Sequence, residues 1–264
     1  MPLMYSCRIL VQLLARDFFV FAKRIRSFGI NYLLIYPVLA IITFGYIQPG
    51  IYFGPGHSKT SVVLLIGTFC INMVSLCYTL MTPFVFDLES DRFIDYQISI
   101  VPPRILFIKM LLFPALIAMI ISTPFFPLAY ALLPGYFAAL QINWLGLIGV
   151  VIAASFYCAS YIMLGLCIIK KANRIRQFWL RFNWPLMVLG GLWIPFYLLK
   201  ANFPLLGYIA LLDPFTYFTE GIRSALIGSD QFIPYQICIF VLLLFFCMFS
   251  LLSIYFFKRK LDHI

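Results

Sequence analysis

Residues 110–169 read MLLFPALIAMIISTPFFPLAYALLPGYFAALQINWLGLIGVVIAASFYCASYIMLGLCII, and this stretch, which contains no Lys, Arg, Asp or Glu, decides the fold. A transmembrane helix needs about 20 apolar residues, so the stretch is long enough for two spans. Its apolar residues are continuous and do not alternate with polar ones, as they would in the strands of a membrane barrel. The sequence therefore predicts an all-α polytopic membrane protein.

The composition of the whole chain supports the same class. Of 264 residues, 64% are hydrophobic and only 11% are charged, and the mean hydropathy is +1.01. A soluble domain of this size needs far more polar surface. The net charge of +10 comes from Lys and Arg beside the apolar runs, where such residues orient a membrane protein and meet anionic lipid headgroups. We therefore expect membrane lipids, and not nucleic acid, as partners.

Cysteine and histidine provide no pattern for a metal site or a disulfide framework. Six of the seven cysteines lie inside apolar runs, and no CxxC pair or Cys/His cluster occurs. Such cysteines act as small buried apolar residues. The two histidines, His57 and His263, are isolated in a loop and a tail. The first apolar run is broken by Arg16 and Asp17, so we expect no cleaved signal peptide.

Residues 5–26 predict a basic amphipathic helix that lies along a membrane surface. In a helix, one stripe collects the polar side chains of this segment, and apolar side chains occupy much of the remainder. The alternative is a frayed leader with no defined structure. The polar stripe consists of Arg8, Gln12, Arg16, Lys23 and Arg26.

Six apolar segments follow within a single domain, residues 1–264. The fifth is interrupted by Pro185, Gly190, Gly191 and Pro195. Sixteen of the nineteen Lys and Arg lie in the arms and loops on the side of the two termini, so both termini are expected to be cytoplasmic. The spans are predicted at residues 28–47, 61–86, 105–133, 144–169, 182–199 and 233–257.

An acidic loop, residues 87–104, separates the second and third spans. Its first half predicts a short helix with Asp87 as N-cap, and Pro102 and Pro103 end the loop before the next span. Either a basic partner surface contacts these acidic side chains, or the segment is a cap helix whose acidic side chains face water and contact no partner. The loop holds four of the nine carboxylates, Asp87, Glu89, Asp91 and Asp95.

A second polar segment, residues 211–228, lies between the fifth and sixth spans. Asp213 and Pro214 fit an N-cap followed by proline at the first helical position. Glu220 and Arg223 are three residues apart on the helix that follows, so they can form an ion pair. Such a pair at the outer membrane interface is either purely structural or contacts a substrate.

Several functional classes lack their signature in this chain. No phosphate-binding GxxxxGK[ST] motif occurs, and no charged residue lies deep in a predicted span, as ion-coupled carriers require. No sequence motif of an ion-selectivity filter is recognisable, and no residue pattern resembles a nucleophile with its base. We therefore expect no catalytic site, and any energy for transport must come from a partner.

Two stretches resemble the membrane subunit of ABC-2-type exporters. In residues 89–109, the acidic residue, proline and cation of that family fall on Glu89, Pro102 or Pro103, and Arg104. This sequence has Arg92 and Phe93 where a small Gly-Thr-like pair is common. In residues 211–228, the family's Leu-Asn-Pro-Leu-x-Tyr pattern with a following Glu and Arg matches, with Asp213 in place of Asn. The matching positions are Leu212, Pro214, Tyr217, Glu220 and Arg223.

The resemblance implies that two copies of this chain work with two copies of a separate ATPase subunit, which holds the ATP and Mg. The N-terminal helix and the acidic loop contact the ATPase, and the segment between spans five and six re-enters the outer leaflet and closes the exit. It also implies a bacterial cytoplasmic (inner) membrane. The coupling residues are Arg8, Arg16, Lys23, Asp87, Glu89, Asp91, Arg92 and Asp95, and the outer-gate residues are Asp213, Pro214, Tyr217, Glu220 and Arg223.

The expected substrate is amphipathic: a lipid, a lipid-linked glycan or a drug-like molecule. Aromatic residues make up 19% of the chain, which suits both interfacial belts and the apolar paths of such exporters. Two other classes remain open. A non-transport scaffold subunit would not need an ATPase, and a membrane-embedded lipid-modifying enzyme would need a polar catalytic constellation near the interface.

Overall fold

The computed structural model describes residues 3–24, 29–48, 51, 58–89, 101–137, 140, 142–169 and 174–261. Every regular element in this part of the chain is a helix, which confirms the all-α class. In chain order the helices are α1 (Leu3–Arg24), α2 (Asn31–Ile47), α3 (Ser58–Glu89), α4 (Pro103–Ser122), α5 (Phe125–Leu132), α6 (Pro134–Phe137), α7 (Trp144–Ile168), α8 (175–189), α9 (Phe196–Asn202), α10 (Pro204–Ala210), α11 (Pro214–Ile227) and α12 (Tyr235–Leu261).

Within the described part of the chain, four helical segments are long and apolar enough to cross a membrane, which identifies an integral membrane protein. The second of these continues from α4 through a turn at Thr123 and Pro124 into α5. Among the described residues, α2 is a shorter apolar helix, with π-helical turns at Asn31–Ile35 and Ile41–Ile47. The four long segments are Thr60–Phe84, Pro103–Leu132, Trp144–Ile168 and Tyr235–Arg259.

Helix α7 forms the centre of the bundle. It contacts α3, α4, α11 and α12, and small residues such as Ala153, Ala154 and Ala159 are buried along it. Small side chains let helix backbones approach closely, which favours helix association in a membrane, where lipid solvates large apolar groups equally well. The outer helix α12 packs one face on α7 and leaves most of its apolar surface exposed.

Helix α1 packs along α4. Phe18 and Phe21 meet the ring of Phe113 edge-on, with centroids 5.5 and 6.2 Å apart. Lys109 Nζ lies 2.5 Å from Asp17 Oδ2, and both side chains are largely buried. One face of the N-terminal helix is therefore fixed to the bundle by aromatic contacts and by an ion pair.

The structure corrects the prediction of a separate short helix capped by Asp87. Helix α3 runs without a break from Ser58 to Glu89, so Asp87 lies in its last turn. Leu88 and Glu89 favour helix, and no residue between Phe86 and Glu89 interrupts the backbone hydrogen bonds. Of the coupling residues, Asp91, Arg92 and Asp95 lie outside the described residues.

The predicted fifth span, residues 182–199, is not one helix. It belongs to two helices, α8 and α9, which are joined by a non-helical segment at 190–195. The interruption expected from Gly190 and Gly191 is thus confirmed. Pro185 does not interrupt, because it lies where the α-helical part Trp184–Leu189 begins, after a π-helical stretch at Trp179–Asn183. The segment 190–195 is called the interhelical turn below.

Candidate functional site

Helix α11 starts with a side-chain cap. Asp213 has an extended backbone, and its Oδ1 accepts a hydrogen bond from the Phe215 N–H over 3.0 Å. Pro214 occupies the first helical position, where the missing N–H costs nothing. The cap and the proline predicted from the sequence are confirmed.

Two further hydrogen bonds fix the entry to α11. Thr216 Oγ1 donates to the Ala210 carbonyl over 2.6 Å, and the Tyr217 hydroxyl donates to the Leu211 carbonyl over 2.9 Å. Both acceptors belong to the last turn of α10 and the residues after it. Tyr217 therefore fixes the angle between two helices, a role that its position in the sequence did not reveal.

Glu220 and Arg223 form the predicted ion pair. Arg223 Nη1 lies 2.8 Å from Glu220 Oε1, and both side chains are completely buried. Burying two charges is costly unless they are paired and make further hydrogen bonds. The other partners of this pair therefore decide what it does.

Those partners lie in the interhelical turn. Arg223 Nη2 donates to the Gly191 carbonyl and, over 3.4 Å, to the Leu192 carbonyl. Glu220 Oε1 accepts from the Phe196 N–H over 3.0 Å. The pair therefore supplies hydrogen bonds that the turn and the first residue of α9 cannot make within a helix.

Thr219 completes the contact with the same turn, because its Oγ1 donates to the Gly190 carbonyl over 2.8 Å. Backbone groups without a partner cost several kcal/mol in an apolar medium. One face of α11 thus satisfies the backbone on both sides of the break. Sequence reasoning missed Thr219 and did not connect the Glu–Arg pair to the glycines.

Two glycines allow the interhelical turn to sit between α3 and α11. Gly191 has φ = +79°, a backbone conformation that other residues adopt only with strain. On the α3 side, a Cβ at Gly67 would lie 1.9 Å from the Leu192 carbonyl oxygen. The turn is therefore packed against backbone on one side and hydrogen-bonded by α11 on the other.

The position of α11 along α7 is defined at both ends. The Phe215 ring lies against Tyr157 and Tyr161 of α7, with centroids 5.4 and 5.3 Å apart. At the other end, the Asn143 N–H donates to the Ala225 carbonyl over 2.8 Å. Helix α11 therefore runs antiparallel to α7 along the part nearest Trp144, and the buried ion pair lies alongside an apolar helix.

Several buried polar atoms at this site have no partner among the described residues. They include Asp213 Oδ2 and the hydroxyls of Tyr157 and Tyr161, and the Asp213 carboxylate interacts electrostatically with both phenols. Burial raises the pKa of Asp213 to about 7, and the hydrogen bond from Phe215 opposes this shift. Asp213 lies outside the four long apolar segments. This carboxyl therefore changes charge near neutral pH.

The hydrogen bonds of the site join α11 to the interhelical turn and to the start of α9. In the part of the chain that the structure describes, no three His, Cys, Asp or Glu residues come together as metal ligands. Glu220 Oε1 and Arg223 Nη2 bond to backbone groups in and next to the interhelical turn, whereas Glu220 Oε2 and Arg223 Nε have no hydrogen-bond partner among the described residues. The arrangement holds a broken helix in one conformation.

The coupling residues of the N-terminal helix lie away from this site. Arg8, Arg16 and Lys23 are all exposed. Arg16 pairs with Asp17 over 3.0 Å, and Lys23 Nζ lies 4.5 Å from the centre of the Phe19 ring. The backbone of Asp87 and Glu89 forms the end of α3. The exposed cations are accessible to a partner, and Asp17 links Arg16 to Lys109 of α4.

Comparisons of the chain with models of known protein families, with curated proteins and with solved structures find no match.

Proposed function

We propose that this chain is the membrane-spanning subunit of an ABC-2-type exporter, which moves an amphipathic substrate outward with energy from a separate ATPase. The observation that carries the proposal is the buried contact between α11 and the interhelical turn. It supports a segment that enters the membrane between the fifth and sixth spans and closes the exit. The same residues, from Asp213 to Arg223, carry the resemblance in the sequence.

The chain has six membrane spans if α2 and α8 also cross the membrane. Residues 182–189 of α8, which follow Arg181, are about 12 Å long at 1.5 Å per residue, shorter than the roughly 30 Å hydrocarbon core. The interhelical turn and α9 complete the predicted span at 182–199, and the backbone of the turn is tolerated there because Gly190, Gly191 and Phe196 are hydrogen-bonded by α11. With six spans, the bias of Lys and Arg favours cytoplasmic termini, and the resemblance implies a bacterial cytoplasmic membrane.

The ATPase acts through the cytoplasmic ends of the helices. It can shift the chain between states only through contacts that differ between those states. The exposed cations of α1 and the acids at and beyond the end of α3 are the candidate contacts. Because Asp17 of α1 pairs with Lys109 of α4, a displacement of α1 is transmitted to α4. Two copies of the chain and two ATPases form the working unit, and the ATPases hold the ATP and Mg.

Copurification tests this assembly. We expect the chain to be inert alone and to purify with an ATPase subunit as a complex of two copies of each, measured by the mass of the purified particle. A scaffold subunit or a lipid-modifying enzyme would not require the ATPase. A stable monomer that hydrolyses nucleotide by itself would overturn the proposal.

Charge reversal tests the coupling contact. Changing Glu89→Lys and Asp91→Lys should reduce the ATPase recovered per permease, because partly desolvated charge pairs at interfaces cost about 2–5 kcal/mol when one member is lost. Asp230→Lys is the control, since this exposed residue lies in the segment between α11 and α12. If the double-reversal variant recovers as much ATPase as the wild type and still couples ATP hydrolysis to export, the acidic side chains only cap a solvated segment.

Cysteine labelling tests the orientation. Cysteines at Ser58 and Ser229 should react with impermeant thiol reagents in intact cells, and a cysteine at Asn173 should not. Labelling at Asn173 would overturn the six-span arrangement with cytoplasmic termini.

A further inference from the structure

A cleft of about 410 Å³ opens where α7 ends and α8 begins. It is separate from the contact between α11 and the interhelical turn. Its polar lining consists of Arg174, Gln177 and Arg181, and the rest of its wall is apolar. No carboxylate belongs to the described residues that line it. The cleft therefore combines two positive charges with a hydrocarbon-like surface.

The shape of the cleft is built by close packing. A Cβ at Gly165 would lie 2.3 Å from Phe178 Cζ, so the absence of a side chain there lets the Phe178 ring settle against α7. That ring also contacts Tyr161 and stacks on Phe182, with both centroid distances at 6.1 Å. The aromatic wall is thus held in place by the central helix.

The two arginines are available for a ligand. Arg174 lies just before α8 and Arg181 lies in its π-helical stretch, and both line the same cleft. Both are exposed, and neither forms an ion pair with any residue that the structure describes. The planar guanidinium fork suits bidentate contact with a phosphate.

The apolar rim indicates what else the ligand carries. Ile168 and Phe182 are 55% and 61% exposed, and both line the cleft beside the arginines. Ile168 ends an apolar helix that is long enough to cross a membrane, and Phe182 lies in α8. A soluble anion would leave these side chains uncovered, whereas an acyl chain would cover them.

We propose that this cleft binds an anionic glycerophospholipid, with its phosphate between Arg174 and Arg181 and one acyl chain along Ile168 and Phe182. Basic pockets at the ends of transmembrane helices recognise headgroups in this way. The proposal needs only that the chain is an integral membrane protein. It therefore stands or falls independently of the proposed transport function.

Native mass spectrometry of the delipidated protein in detergent tests the site. The probes are phosphatidylglycerol and phosphatidylcholine with identical acyl chains, and inorganic phosphate is the third arm. We expect phosphatidylglycerol to bind at least about tenfold more tightly than phosphatidylcholine, because both lipids carry the phosphate but only phosphatidylcholine adds a quaternary ammonium, which Arg174 and Arg181 repel. Inorganic phosphate should bind much more weakly than phosphatidylglycerol.

The variant Arg174→Gln/Arg181→Gln should lose the preference for phosphatidylglycerol. The matched control, Arg176→Gln/Arg259→Gln, removes the same charge from two exposed positions outside the cleft and should keep the preference. If the double glutamine variant does not fold, each single variant carries the test and should lose several-fold in affinity.

Three results would overturn the proposal. The first is equal binding of the two lipids by the wild-type protein. The second is an unchanged preference in the Arg174/Arg181 variants. The third is equally tight binding of inorganic phosphate and phosphatidylglycerol, which would identify a simple anion site.

Discussion

The Glu220 carboxylate lies 3.0 Å from the backbone nitrogen of Phe196, although 24 residues separate the two in the chain. Phe196 is the first residue of α9, and no helical carbonyl is available to its N–H. Glu220 thus caps a helix that is remote in sequence while it neutralises Arg223 within its own helix. One side chain links the ion pair, the interhelical turn and the start of α9.

The first prediction concerns the ion pair. Glu220→Gln and Arg223→Gln should each lower the free energy of unfolding by about 3–5 kcal/mol, because each leaves a buried charge without its partner. The loss in free energy of unfolding of the double variant should be smaller than the sum of the losses of the two single variants. Thermal unfolding in detergent, followed by Trp fluorescence, measures this double-mutant cycle.

The matched control for the cycle is Arg176→Gln, since Arg176 is exposed and should change the unfolding temperature little. Strict additivity of the two single changes would show that Glu220 and Arg223 do not act as a unit.

The second prediction concerns Gly191. Gly191→Ala should destabilise the fold by about 1–2 kcal/mol from backbone strain alone, because φ is +79°. The new Cβ would also lie 3.2 Å from Arg223 Nη1. Gly135→Ala is the comparison, since a Cβ there meets nothing within 4 Å. If both variants unfold at the same temperature as the wild type, the conformation assigned to Gly191 is wrong.

The third prediction concerns Asp213 and pH. Burial raises its pKa to about 7, so the folded state holds a proton that the unfolded chain releases near pH 4. Stability should therefore fall as the pH rises from about 4 to 7, and the full cost is present above pH 7.

Asp213→Asn should remove this dependence, because an asparagine caps the helix without a charge. The variant should gain on the order of 1–3 kcal/mol over the wild type at pH 8 and less at pH 5. Parallel unfolding curves of the two proteins across this pH range would contradict the assignment.

The fourth prediction concerns the attachment of α1. Asp17→Asn or Lys109→Met should loosen α1 from α4, and protease digestion of the N-terminal helix should become faster. The exchange Asp17→Lys/Lys109→Asp should recover part of the lost protection, with a coupling of about 0.5–3 kcal/mol. Arg8→Gln, which changes an exposed cation on the same helix, should leave the digestion rate unchanged. No recovery in the exchanged pair would show that the contact is not electrostatic.

Much of the fold was predictable because hydrophobic length is a local property. The long uncharged stretch predicted the spans around α4 and α7, and the span predicted at 144–169 agrees with the observed helix to within one residue. The Asp213 cap and the Glu220–Arg223 pair were also predictable, since each depends on spacing within a single helix.

The remaining contacts were not predictable, because each joins residues that are far apart in the chain. The link from Arg223 to Gly191 spans 32 residues, and no periodicity reports it. The sequence predicts a separate helix at Asp87, because the charged side chain indicates the end of a span. Helix propensity continues past the last apolar residue, so α3 extends through Glu89.

The interhelical turn does not hold itself together, and this limits how the molecule can move. If α11 were withdrawn, the carbonyls of Gly190 and Gly191 and the N–H of Phe196 would lose their partners at once. The turn and α11 must therefore travel as one rigid body. The hinges must then lie outside that body, and Gly228 is positioned to be one of them, because its φ is +118° and a Cβ built there meets nothing within 4 Å.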